Sequence, residues 1–496
     1  MIDRGDSGER GKVVTISPVT RLEGHAKVEI ILDDNGNVQD TYLQVVELRG
    51  FERFCQGRLV EELPGIMPRI CGVCPSAHHI ASAKAVDAVF GVEPTETAKK
   101  LRELFYCAHI IHSHIAHFYV LAGPDLLVGP TGDPRERNIF GVFKKLGMEF
   151  GRQIITNRKY AQRVQELMGG KATHPVFGLP GGVSKPLSVE ERDIVEEMFK
   201  SMLDFASTGL SLWEDSILKQ GNYVDLIKGD AYYLETYYIG MVDRNNKVNF
   251  YEGEIRAVDP KGREAARFKP KEYLDFIGEH VEPWSYLKFP FLKNIGWRGI
   301  TDGEKSGVYR VNSLARLNAS EGMATPLAQE AYEKMYEFFG GRPVHATLAF
   351  HWGRLIETLY AAERGLELLA DPEIMGQEIK VDVARPVGEG VGVVEAPRGT
   401  LYHHYITDDK GIVQKVNLIV ATVQNNAAMS LSVKKAASNL IRGWKVSEGI
   451  LNMVEMAIRA YDPCFGCATH TLIGQMPLEL NIRKADGEIY KTIIRP

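Results

Sequence analysis

The 496-residue chain has six cysteines, far too few for a disulfide scaffold at this length. It has no basic run. Its 59 lysines and arginines stand against 64 acidic residues, for a formal net charge of −5, which argues against a nucleic-acid partner or an anionic membrane surface. No strand-linked G-x-G-x-x-G and no Walker-type loop occurs, so neither NAD nor ATP is expected on this chain. The stretch Met1 to Arg10 carries early charges and no apolar segment, so it does not read as a secretory signal. The most apolar helical stretch, Phe105 to Leu121, includes His109, His112, His114 and His117. Those would be poor company for lipid, and no direct membrane span is expected. With sparse cysteines, a reducing, cytoplasmic setting follows. No low-complexity stretch divides the chain, so one large core with subdomains is as consistent as separable units.

What is present is a pair of Cys-x-x-Cys turns at opposite ends: Cys71-Gly72-Val73-Cys74 and Cys464-Phe465-Gly466-Cys467. Each turn can hold one soft metal, and two together can hold a tetrahedral or dinuclear centre. Structural zinc is the commonest use of such pairs, although its halves usually lie within tens of residues and staple a small domain. Thioredoxin-like redox chemistry would need one pair, not two. Spacing alone leaves zinc, iron–sulfur, disulfide redox chemistry and a dinuclear site open.

Residues 12 to 47 alternate apolar and polar positions around Asp33-Asp34-Asn35-Gly36-Asn37, a hairpin signal. Thr20-Arg21-Leu22-Glu23-Gly24-His25 precedes its first strand and Leu48-Arg49-Gly50-Phe51-Glu52 follows its second. Charged residues at strand entries are usually a solvated cluster. Helix formers dominate from Pro75 to Leu121, with a break at Gly91-Val92-Glu93-Pro94. Buried histidines satisfied by backbone are there as good a reading as metal ligands. Further helices are expected over about 135–169, 188–220, 325–370 and 427–460. Short strands are expected at Lys247 to Tyr251 and Arg256 to Val258. The sequence predicts five regions: a β-hairpin region (1–60), a helical core with the first cysteine pair (61–220), a mixed peripheral region (221–320), a helical core with the second pair (321–470) and a C-terminal extension (471–496). The fold class is α+β, predominantly helical.

Taken with their flanks, Arg69-Ile70-Cys71-Gly72-Val73-Cys74-Pro75-Ser76-Ala77-His78 and Asp462-Pro463-Cys464-Phe465-Gly466-Cys467-Ala468-Thr469-His470 resemble the two metal motifs of nickel–iron hydrogenase large subunits. Arg21-Leu22-Glu23-Gly24-His25, Arg49-Gly50-Phe51-Glu52 and Ala396-Pro397-Arg398-Gly399 match that family independently and in order. The resemblance implies that Cys71 and Cys464 are terminal nickel ligands. Cys74 and Cys467 would bridge nickel to an iron carrying carbon monoxide and cyanide, with an open position for H2. Cys464 would take the proton and pass it to Glu23. Arg398, oriented by Asp462, would project its guanidinium over the site, and His78 would hydrogen-bond a bridging thiolate. Glu52 and His470 would bind a separate magnesium-type ion.

The chain departs from the periplasmic uptake pattern at His112-Ser113-His114, where an aspartate is usual. Its serine resembles the cytoplasmic bidirectional branch, whose partners serve NAD(P), a deazaflavin or a heterodisulfide-reductase system. The tail 471–496 reads as a hairpin around Ala485-Asp486-Gly487-Glu488, either a precursor segment or retained structure. Two spare cysteines, Cys55 and Cys107, cannot hold an iron–sulfur cluster, which needs four ligands. An iron–sulfur small subunit, with further flavin or iron–sulfur subunits, must therefore take the electrons. Two other readings remain: a hydrogen-sensing regulatory protein, and a nickel-free scaffold like the quinone-site subunit of complex I, which the four cysteines disfavour.

Overall fold

The computed structural model describes residues 13–469 and the strands 478–483 and 489–495. Its centre is a ring of four long helices, Glu96–Ile115, Met148–Gly169, Val189–Trp213 and Ala349–Ala370, each packed on the next. Local chemistry starts them where the sequence suggests. Thr95 accepts from the Ala98 amide, and Ser188 and Glu191 form a reciprocal capping box. The Glu96–Ile115 helix runs on as a wide π-turn over Ala116–Ala122. One continuous cluster of buried residues extends from Ile16 to Ala468, so the first four expected regions share one core.

Against this bundle lies a three-stranded antiparallel sheet, Glu389–Ala396, Gly399–Thr407 and Val413–Ile419, with the Pro75–Phe90 helix laid across it. The glycines of Glu389-Gly390-Val391-Gly392 make that contact possible. A Cβ at Gly392 would stand 2.1 Å from the Ala81 carbonyl oxygen, and one at Gly390 2.4 Å from that of Ala85. The helix bearing Cys74 thus rests on the strand that leads into Arg398.

The N-terminal hairpin forms as expected, Ala26–Leu32 pairing with Val38–Val45, and Val13–Ile16 adds a third strand. The peripheral region holds a four-stranded sheet of Tyr309–Arg310, Tyr237–Val242, Glu254–Val258 and Glu264–Phe268. Lys247 to Tyr251, expected as a strand, makes a single bridge between Val242 and Val248. Asp243 instead caps a turn there, accepting from the amides of Asn245 and Lys247 at 2.8 Å. The expected helix 325–370 is two, Pro326–Phe339 and Ala349–Ala370, parted at Gly340-Gly341-Arg342-Pro343. Leu478–Arg483 and Ile489–Arg495 pair as the antiparallel hairpin predicted for the tail.

Candidate metal centre

A tight turn over Met67–Ile70 ends at Cys71, and Cys74 stands at the N-cap of the Pro75–Phe90 helix, whose first residue is proline. The amides of Val73 and Cys74 both point at the Cys71 sulfur, at 3.2 Å. At the other end the Glu448–Arg459 helix delivers the chain to Asp462, whose φ of +50° turns it sharply into Pro463-Cys464. The Thr422 hydroxyl accepts the Cys464 amide at 3.0 Å.

The two turns meet face to face. Cys71 Sγ lies 3.3 Å from Cys464 Sγ, and Cys74 Sγ 3.4 Å from Cys467 Sγ. All four sulfurs fall within 4.8 Å of one another and all four residues are buried. Arg49 clamps the turns together, donating through Nη1 to the carbonyls of Ile70 at 2.5 Å and Gly466 at 3.1 Å. Its own amide donates to the Thr469 carbonyl at 2.5 Å. Burial opposes ionisation of Cys71, but hydrogen bonds from the other three thiols and the Arg398 charge outweigh it and hold Cys71 well below the usual thiol range. At Cys464 and Cys467 burial wins and both are pushed well up. A buried four-sulfur cluster with one favoured thiolate suits a soft metal that would displace the remaining thiol protons.

Glu23 joins the centre through a short parallel bridge to Cys464. Its Oε2 accepts from Cys464 Sγ at 2.9 Å and from the Gly466 amide at 3.0 Å. The next residue must be glycine: at Gly24 φ is +84°, and a Cβ would sit 2.8 Å from the Gly466 nitrogen and 2.9 Å from the Phe465 Cβ.

Arg398 lines the cavity beside Cys74, Cys464 and Cys467. Its Nε donates to the Asp462 carbonyl at 2.6 Å and its Nη2 to Asp462 Oδ1 at 3.0 Å. Nη1 is buried with no partner among the described residues, as is Asp462 Oδ2. Burial works against the Arg398 charge, yet Asp462 and the cysteines hold its pKa well above the ordinary value; burial raises Asp462. The guanidinium, Pro397, Thr422 and His78 line a small cavity with Cys74, Cys464 and Cys467. His78 lies one turn along the helix from Cys74, its Nδ1 3.1 Å from His403 Nε2; His403 continues to Tyr405 and Ser82.

Glu52 is buried and accepts the Leu418 amide at 2.9 Å; the expectation for His470 lies outside the described residues. Two of the four helix histidines are engaged by protein, His114 by Glu357 at 2.9 Å and His117 by the Arg459 carbonyl at 2.8 Å. The structure thus brings Cys71, Cys74, Cys464, Cys467, Glu23, Arg398, Asp462 and His78 to one place. Sequence reasoning missed Thr422 and the clamp made by Arg49, which stood in a quoted motif with no role given it.

Known proteins agree with this geometry. A family model described as nickel-dependent hydrogenase matches residues 49–128 and 305–470, and one described as HoxL-like matches 13–48. An F420-non-reducing hydrogenase iron-sulfur subunit of Archaeoglobus profundus is 48% identical over 97% of this chain and 99% of its own. The NAD-reducing hydrogenase HoxS subunit beta of Cupriavidus necator is 40% identical over 96% of this chain and 98% of its own. A crystal structure of an NAD+-reducing [NiFe]-hydrogenase in the H2-reduced state shares the fold with a TM-score of 0.87 and 38% identity, covering 93% of this chain and 100% of that one. The chain belongs to the nickel-dependent hydrogenase family, as a large subunit. Its similarity runs to F420-non-reducing and NAD-reducing members, and it is an oxidoreductase of the hydrogenase class, one component of a larger assembly. No helix among the described residues is long and apolar enough to cross a membrane.

Proposed function

We propose that this chain splits H2 heterolytically, and reversibly, at a nickel–iron group held by its four buried cysteines. Cys71 and Cys464 would hold the nickel as terminal ligands, and Cys74 and Cys467 would hold it jointly with an iron carrying carbon monoxide and cyanide. When bound, that group supplies the Lewis acidity that polarises H2. The protein does the rest. Cys464 takes the proton, and Glu23 Oε2, 2.9 Å from its sulfur, receives it. This sulfur-to-carboxylate contact at the rim of the four-sulfur cluster is the observation that carries the reading.

Arg398 places a fixed cation beside the cluster, anchored by two bonds to Asp462. Its free Nη1 is suited to a small anionic ligand such as cyanide. His78 lines the same cavity as Cys74 and tunes the bridging thiolate. Glu52, buried beside the Val413–Ile419 strand, would hold a magnesium-type ion together with His470. Electrons pass to an iron–sulfur small subunit, then to further flavin or iron–sulfur subunits. Cys55 and Cys107 stand outside the four-sulfur group, and two cysteines are too few for the four ligands an iron–sulfur cluster needs. The serine of His112-Ser113-His114 supports a cytoplasmic complex.

Metal analysis with an infrared spectrum of the purified complex tests this. One nickel and one iron per chain with carbonyl and cyanide bands is the expected result, and zinc alone would defeat it. Fast hydrogen–deuterium exchange by the same sample separates an enzyme from a slow-turning sensor.

A further inference from the structure

Directly behind Arg398 the core contains a cluster of charges that the reaction does not call for. Arg316, on the Ser313–Ala319 helix, is fully buried with Glu357 and Glu395, each with its side chain 0% exposed. All five of its N–H donors are used. Nε donates to Glu357 Oε1 at 2.5 Å, Nη2 to Glu357 Oε2 at 2.7 Å and to the Pro397 carbonyl at 3.2 Å. Nη1 donates to Glu395 Oε2 and to the Ala396 carbonyl, both at 2.8 Å. The carboxylates are held in turn. Glu395 Oε1 accepts from the Met241 amide at 2.8 Å and the Thr400 hydroxyl at 2.7 Å, and Glu357 Oε2 pairs with His114 Nε2 at 2.9 Å.

Stability does not call for this arrangement, because a buried ion cluster is often no better than apolar residues of the same volume. What the cluster does is fix two particular carbonyls. They belong to Ala396 and Pro397, the two residues immediately before Arg398. We propose that Arg316 is a positioning residue for Arg398: it pins the turn from which that guanidinium reaches over the cysteine centre, and Glu357 and Glu395 hold Arg316 to the task. The inference rests on the role given to Arg398 above. Planar geometry matters here, since a guanidinium can address several acceptors in one plane and an ammonium on a flexible stem cannot. His114, on the long helix, joins the bundle to the same turn through Glu357.

The test uses the loaded complex. Arg316→Lys keeps the charge and loses the fork. With nickel and iron content as in the wild type, H2 oxidation should fall about 100-fold, as for a catalytic group displaced by roughly 1 Å, with KM for H2 unchanged. The cyanide stretching bands should shift, and amide exchange over residues 396–400 should quicken. Glu395→Gln is the milder second variant, preserving volume while turning a donor toward Arg316; a loss of about 10-fold with a smaller band shift is expected. If Arg316→Lys fails to assemble, Glu395→Gln decides. Wild-type turnover with unshifted bands in either assembled variant overturns the proposal, whatever happens to the thermal midpoint. Arg398→Lys, measured in parallel, separates the two readings. Should it behave as wild type, the role of Arg398 itself fails; should it lose activity while the Arg316 and Glu395 variants do not, the positioning role alone fails.

Discussion

Glu23→Gln divides the chemistry of the centre from its architecture. Two bonds converge on Glu23 Oε2, from Cys464 Sγ at 2.9 Å and from the Gly466 amide at 3.0 Å. A glutamine oxygen can accept both, so exchanging a charged acceptor for a neutral one costs about 1 kcal/mol. In a chain this long that lowers the thermal midpoint by at most about 2 °C. The amide cannot take a proton. Removing a positioned base costs about 10²- to 10⁴-fold in turnover, or about 3–5 kcal/mol of barrier. The two effects are far enough apart to be told from each other. Dye-linked H2 oxidation by a complex with full nickel and iron gives the rate, and calorimetry the stability. Glu23→Asp retains a base but withdraws it by about one bond length, ~1.5 Å, and should fall between. If Glu23→Gln with a full metal complement turns over at more than a tenth of the wild-type rate, Glu23 is not the proton acceptor.

Two further outcomes follow from the packing. Burial pushes His79 and His114 from 6.5 down to about 4, so the unfolded chain binds their protons first. Their stabilisation is complete above pH 6.5 and is lost as pH falls toward 4, about 2 kcal/mol for each at pH 5. Glu357, which burial would raise, is held at about 2 by Arg316, and its share is lost lower still, between about 4.5 and 2. The denaturant midpoint should therefore drop between pH 8 and pH 5, and an unchanged midpoint refutes the account. Gly24→Ala forces a Cβ to within 2.8 Å of the Gly466 nitrogen at a φ of +84°. The Cys464 turn must shift, nickel content by metal analysis should fall sharply, and the helical core should keep its circular dichroism; full nickel occupancy would contradict it.

What could be read from the sequence was whatever acts through local chain geometry. A Cys-x-x-Cys turn, an Asp-Asp-Asn-Gly-Asn hairpin and the stops at Gly91-Val92-Glu93-Pro94 carry their structure within a few residues. The five short motifs, being colinear over the chain, were legible as a set. Arg316, Glu357 and Glu395 were not, because one arginine or glutamate in a helix or strand has no pattern that separates a solvated face from a fully buried ion cluster. The Lys247 to Tyr251 strand failed for a related reason. Its alternation is real, but the Asp243 side chain offers the backbone a local turn that competes with a ladder.

The same limit hid why Arg21 precedes Leu22-Glu23. The centre joins cysteines 393 positions apart, and closing so long a loop costs about 5 kcal/mol of chain entropy, which four sulfurs alone do not hold in register. A second buried network does so. Arg459 donates to the Thr20 carbonyl at 3.1 Å and pairs with Glu455 and Asp125; Asp125 pairs with Arg21, and Asn452 bridges Arg21 and Arg459. Arg21 stands two residues before Glu23 and Arg459 three before Asp462. Asp125 lies just beyond the end of the long helix, at the wide turns. Three segments distant in the chain are thus locked by charges that apolar packing could not keep in one register, the use of buried ion networks best supported by their energetics. Glu23, the proposed proton acceptor, and Cys464 are neighbours because each is tied, a few residues upstream, to the same buried aspartate.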